Sequence, residues 1–160
     1  MTGRMLLGAI LVGGTIFSGL ACLPASLASA ETEVSPCQTS ILTEMSSLQD
    51  LPAPVRSLLH ADQSGLGGMA DRGQSYNTTD SVDDRLPMCR FAGGGQGDGC
   101  VVIAVQRGGR SSSVQLMAFE LIRAGWAMTR STNLQAGESI HSVRDLVTII
   151  YGRPADMLDR

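Results

Sequence analysis

Few residues in this chain are equipped for chemistry. There are two histidines, His60 and His141, and four cysteines, Cys22, Cys37, Cys89 and Cys100. Histidine is the side chain best suited to proton transfer near neutral pH, so each is a candidate for a small secreted hydrolase. His141 stands four residues before Asp145, a spacing that sets two side chains on one helix face. Serines are plentiful, but no G-x-S-x-G elbow accompanies them, and an ordinary surface pairing is the simpler reading. His60 precedes Asp62 without any H-E-x-x-H spacing, so it reads as a helix-terminal histidine facing the dipole. Asp80, Asp83 and Asp84 lack the alternating oxygens and closing Glu of a calcium loop. They read as a solvated turn. The balance leans away from an enzyme, and no metal or cofactor is expected.

The cysteines carry a sharper expectation. Cys89 and Cys100 flank the glycine-rich stretch 93–99. A hairpin folded about Gly94-Gly95 sets them directly opposite one another with side chains on one face, where a non-hydrogen-bonded pair has the Cα separation of a disulfide. A Cys89–Cys100 bridge is therefore expected, contributing on the order of 2–3 kcal/mol. Cys37 is then the odd thiol, read as buried and inert, with an intermolecular bridge or a reactive thiol as the functional alternatives. The glycine stretch matches neither the dinucleotide nor the P-loop phosphate fingerprint.

All twelve basic residues are arginine. Their scatter along the chain fits a GC-rich coding bias, of a kind that suits a Gram-negative bacterium. Arg107, Arg110, Arg123 and Arg130 fall at expected hairpin ends and form the candidate interaction surface. The net charge is −3, one unit more negative once Arg4 is removed with the leader described below. That balance argues against nucleic acid, which wants a basic face. Asn77-Thr78-Thr79 is a glycosylation sequon, meaningful only in a eukaryotic secretory host.

The elements that must position these residues begin with a leader. After Arg4 no charge occurs through Leu23, Pro24 breaks the apolar stretch, and Ala28-Ser29-Ala30 places small residues before Glu31. That order is what a signal peptidase reads. Residues 1–30 are expected to be a signal peptide and 31–160 a single small domain, periplasmic or secreted. Two alternatives compete: an inner-membrane anchor through an uncleaved signal, and a lipoprotein at Cys22, although Gly19 stands where a lipobox has Leu. Membrane contact is expected only through the export signal.

In the mature part, Ser35-Pro36-Cys37-Gln38 carries a capping box with Pro at the first helical position. Cys37, Ile41, Met45 and Leu48 recur at helical spacing, predicting a helix to about Gln49. A second short helix holds Val55, Leu58 and Leu59 and ends near His60. Residues 61–87 read as a loop, long enough to be functional or to hide short strands. Strands are expected over Met88–Ala92, Cys100–Gln106, Val114–Ile122 and Trp126–Arg130, with 93–99 as a turn rich in positive φ. Ile140, Val143, Val147 and Ile150 favour a C-terminal helix capped by Ser139, against the strand composition of Val147–Tyr151. A terminal turn is expected over Pro154–Leu158.

The fold class is α+β: an antiparallel β-meander of about four strands packed against N-terminal and C-terminal helices, both on one face. The expected function is a non-enzymatic binding or envelope-interaction domain whose partner is an envelope or periplasmic protein. The alternative is the small hydrolase using His141 or His60.

Overall fold

A computed structural model describes residues 34–152. The expected signal segment, its expected cleavage residues Ala28, Ala30 and Glu31, Cys22, and the expected turn over Pro154–Leu158 lie outside the described residues. The architecture is mixed α+β and mostly sheet. In chain order the elements are α1 (Pro36–Thr39), β1 (Thr43–Met45), a 3-10 turn (Leu48–Asp50), α2 (Ala53–Leu58), a second 3-10 turn (Gly65–Gly67), β2 (Met69–Ala70), β3 (Cys89–Gly97), β4 (Cys100–Arg107), β5 (Ser113–Ile122), β6 (Gly125–Asn133) and α3 (Val143–Tyr151).

The sheet runs β1-β3-β4-β5-β6, each neighbour antiparallel, and β2 adds to β3 in parallel. The run Cys100–Val105 of β4 is buried throughout. Its side chains alternate between two cores, as the pleat demands. Val101, Ile103 and Val105 meet Phe91, Met117 and Phe119 of the sheet, with Met45, Leu48, Leu51 and Val55 of the N-terminal segment. Cys100, Val102 and Ala104 meet Leu116 and Ala118, with Cys37, Leu146 and Ile150. Cover on both faces is why β4 reads as an unbroken β-branched run rather than an alternating one.

The first helix is much shorter than its spacing predicts. Ser35 does cap it, accepting from the Cys37 N–H at 3.1 Å, and Pro36 opens it, but it ends after one turn. The four residues of the expected stripe go to different places. Cys37 enters one core, Met45 and Leu48 enter the other, and Ile41 is almost fully exposed. Thr39, Ser40 and Thr43 are poor helix interiors, because hydroxyl and β-branched side chains favour other backbone states. The segment instead gains strand pairing, Thr43–Met45 against Gly94–Gln96.

The glycine stretch is a strand, not a turn. The turn is the two-residue Asp98-Gly99 connection, with Gly97 paired to Cys100 and Gly99 at φ 66°. Asp-Gly is itself a hairpin signal. Within β3 only Gly93 has positive φ, at 155°, whereas Gly94, Gly95 and Gly97 serve close approach. A side chain at Gly95 would run into Val143 of α3 and Leu42, and one at Gly97 would meet Leu42, Ser40 and the Ile41 carbonyl.

This register overturns the Cys89–Cys100 bridge. Cys89 lies opposite Arg107, at the far end of the hairpin from Cys100. Cys100 is bonded to Cys37 across 63 residues, with Cα atoms 5.1 Å apart, and Cys89 is a half-buried free thiol. A disulfide of this kind suits an oxidising, extracytoplasmic compartment. No helix among the described residues is long and apolar enough to cross a membrane.

The 61–87 stretch does hide structure: a 3-10 turn and β2. Its second half is organised by Asn77, only 4% exposed. The Asn77 amide donates to the carbonyls of Asp83 (3.0 Å) and Leu86 (2.8 Å), and its Oδ1 accepts from the Asp83 N–H (2.8 Å). The sequon asparagine is therefore a buried loop clamp. At the C-terminal end the helix prevails over the strand. Ser142, not Ser139, caps α3 and forms a capping box with Asp145, and Gly152 at φ 81° stops it. Leu146 and Ile150 of α3 enter the core that contains Cys37.

Candidate binding groove

Small residues on neighbouring strands leave a hollow beside α3. Ala92, Gly93 and Gly94 of β3, Ala104 of β4 and Val114 of β5 line a groove of about 260 Å³, closed on one side by Leu134, Ile140, Val143 and Leu146. Its polar lining is Glu44 of β1, Arg72 just past β2, Gln106, His141 and Ser142. Gln106 is held in place: its Oε1 accepts from Arg90 Nε (2.8 Å) and Nη2 (2.6 Å), and the Arg90 guanidinium stacks 4.4 Å from the Tyr76 ring centroid. Glu44 and Arg72 have no ion-pair partner among the described residues. A more open shelf of about 860 Å³ adjoins it, sharing Glu44 and running past Ile41, Asp50 and Asp98.

The two histidines stand apart, His60 at the end of α2 and His141 at the groove. His141 Nε2 is 2.9 Å from Ser139 Oγ, and both residues are exposed. Asp145 does not complete a relay. Its Oδ2 accepts from the backbone N–H groups of His141 and Ser142, both at 2.9 Å. The His141 N–H bond leads the contributions that hold the Asp145 carboxyl below its usual range, so this acid is a helix cap rather than an orienter of the ring. His60 is exposed, with φ 53° and its ring 3.0 Å from Gln63 Nε2. Asp62 pairs instead with Arg56 at 3.4 Å.

Among the described residues no group of His, Cys, Asp and Glu is placed to hold a metal ion. Asp80 pairs with Arg110 at 3.4 Å, and Asp83 accepts from the Arg85 N–H. The four candidate arginines do not share one surface. Arg107 and Arg110 lie at the β4–β5 end, with Arg107 Nη1 donating to Gln115 Oε1 at 3.1 Å. Arg123 lies at the other end of β5, ten residues long, which is about 30 Å away by strand rise. Arg130 sits 4.8 Å from the Tyr151 ring centroid.

The best-made polar cluster escaped the sequence reading. Glu120 Oε1 accepts from Ser35 Oγ (2.6 Å) and Tyr151 Oη (2.8 Å), joining the N-terminal cap, β5 and α3. Burial alone would raise the Glu120 pKa, but the bonds from Ser35, Tyr151 and Thr129 and the nearby Arg130 outweigh it and lower the value. Burial pushes the Tyr151 phenol up. Three residues separated by 31 and 85 positions carry no motif, so only the fold could reveal them.

The chain matches no family model, and neither curated proteins nor solved structures yield a match. The fold itself defines the class: a disulfide-linked, mostly-sheet α+β protein with a groove beside its C-terminal helix.

Proposed function

We propose that this chain is an exported periplasmic protein whose activity is non-covalent binding of an envelope or periplasmic protein, with a segment of that partner seated in the groove. The observation that carries this reading is the groove's make-up: an apolar floor beside an acid and a base that have no ion-pair partners among the described residues. Buried apolar contact with a few placed polar groups is what a binding site requires. The disulfide supports the compartment. Export predicts an envelope-fraction species that begins at Glu31 and carries one disulfide, read by intact mass without reductant. The test of binding is a photo-crosslinking residue at Val114, inside the groove, in living cells. One discrete adduct is expected, absent when the same residue replaces exposed Arg85. Equal labelling at both positions, or none at Val114, would reject the reading.

One observation favours the hydrolase alternative, the 2.9 Å contact between Ser139 and His141. A fluorophosphonate probe separates the two. Labelling of Ser139 that disappears in His141→Ala supports hydrolysis, and an unlabelled protein supports binding.

A further inference from the structure

The β5–β6 hairpin ends in an unusual tip. Leu121 is 54% exposed, Ile122 48% and Met128 55%, three of the largest exposed apolar side chains described, all on one hairpin. Between them lie Arg123, Ala124, Gly125, half-buried Trp126 and Ala127, with no acid from Leu121 through Met128. Gly125 at φ 114° makes the return, pairing with Ile122, and Trp126 pairs with Leu121.

The faces decide what this tip fits. Leu121, Trp126 and Met128 share the sheet face of Phe119: Met128 is opposite Phe119, and Trp126 packs against that core. Ile122 points to the other face, the side on which Glu120 bonds Tyr151 and Ser35. A tip that is apolar on both faces is a wedge, and a lipid monolayer is the surroundings that cover a wedge from every side. The charge at the apex is Arg123, exposed with no ion-pair partner among the described residues. Glu120 is turned back into its own hydrogen bonds, and the acid beside the tip is exposed Asp98 of the β3–β4 turn, whose neighbour Gly99 accepts the Leu121 N–H at 2.9 Å. A cation beside Leu, Ile and Trp suits an anionic interface, where Trp anchors at headgroup level and Arg reaches phosphate.

We infer that the β5–β6 hairpin inserts its tip into an anionic bilayer surface, docking the exported domain on a membrane independently of its leader and of the groove. The experiment uses the chain recovered after export, with its disulfide intact, and vesicles of equimolar phosphatidylcholine and phosphatidylglycerol beside vesicles of phosphatidylcholine alone. Trp126 is the only tryptophan, so its emission reports on the tip directly. Flotation with the anionic vesicles is expected, with a blue shift of Trp126. In the Leu121→Asp/Ile122→Asp double variant both are expected to fall by about tenfold or more. Both positions are solvent-exposed, and circular dichroism checks the fold. Arg123→Glu, a surface change that removes no apolar contact, should weaken flotation on the anionic vesicles. Failure of the wild type to float, or equal flotation of the double variant, overturns the inference. So does a double variant that floats normally but loses a protein crosslink, which assigns the tip to a protein. The Val114 crosslink should survive the double substitution, so the two proposals fail separately.

Discussion

Two carboxylates carry much of the fold's polar wiring. Glu120 takes hydroxyls from Ser35 and Tyr151, and Asp71 takes the Ser47 hydroxyl (2.6 Å) with the Leu48 (2.9 Å) and Arg72 (2.7 Å) N–H groups. For Asp71, as for Glu120, burial pushes the pKa up and the donors pull it further down, so both values lie below the ordinary ones of 3.8 and 4.5. A carboxyl whose pKa falls on folding adds stability that is fully present above its unfolded value and is lost as pH drops through the folded one. Urea midpoints should therefore hold at neutral pH and decline below about pH 4.5. The Glu120→Gln/Asp71→Asn double variant should show a shallower decline over that interval. An unchanged slope would mean that neither group is linked to folding.

At the same scale, Gly95 is a position where any side chain collides. Gly95→Ala should destabilise by about 1–3 kcal/mol through forced displacement of Val143 and Leu42. Equilibrium denaturation measures it. Val143→Ala in the same chain should return part of the loss, because it removes the colliding methyls.

Among elements, those with strong local signals were legible in the sequence. β4 and β5 match the expected runs closely, since a β-branched stretch bounded by turn residues has few alternatives. α3 was readable from the spacing of Val143, Val147 and Ile150 and the Gly152 stop, although its cap is Ser142 rather than Ser139 and Ile140 lies before it. The failures share a cause in tertiary pairing. Cys37, Ile41, Met45 and Leu48 have helical spacing by coincidence, and β1 forms against Gly94, Gly95 and Gln96 of β3, where the two glycines leave the edge open. The same glycines disguised β3 as a turn, which misplaced the hairpin centre and with it the cysteine pairing. The groove was illegible for a related reason: its floor comes from three strands and a helix, and no stretch of sequence brings them together. One element-level expectation is direct. Ser142→Ala removes the α3 cap and should cost about 1 kcal/mol, read by thermal or urea unfolding. Ser139→Ala should cost far less, because Ser139 only meets the His141 ring.

Over the whole molecule the Cys37–Cys100 bond ties the first helical turn to the central strand, beside the residues α3 buries. Closing a 63-residue separation should contribute about 4 kcal/mol by the chain-entropy account. The Cys37→Ser/Cys100→Ser double variant should lose roughly that amount in urea titration.

The order in which the thiols emerge sets a hazard that the finished bond conceals. A polypeptide threaded out N-terminus first offers Cys37, then Cys89, then Cys100 to whatever oxidises it, so pairing successive sulfurs joins the wrong two. The native link skips the middle one. Where that wrong pair forms, the Cys100 thiolate must attack Cys37 Sγ and release Cys89 as the thiolate to reach the native bond. Replacing Cys89 by Ser should raise the share of correctly joined protein in a host lacking disulfide isomerase, as counted by peptide mapping under non-reducing conditions. No gain would show that Cys37 waits unpaired until Cys100 arrives.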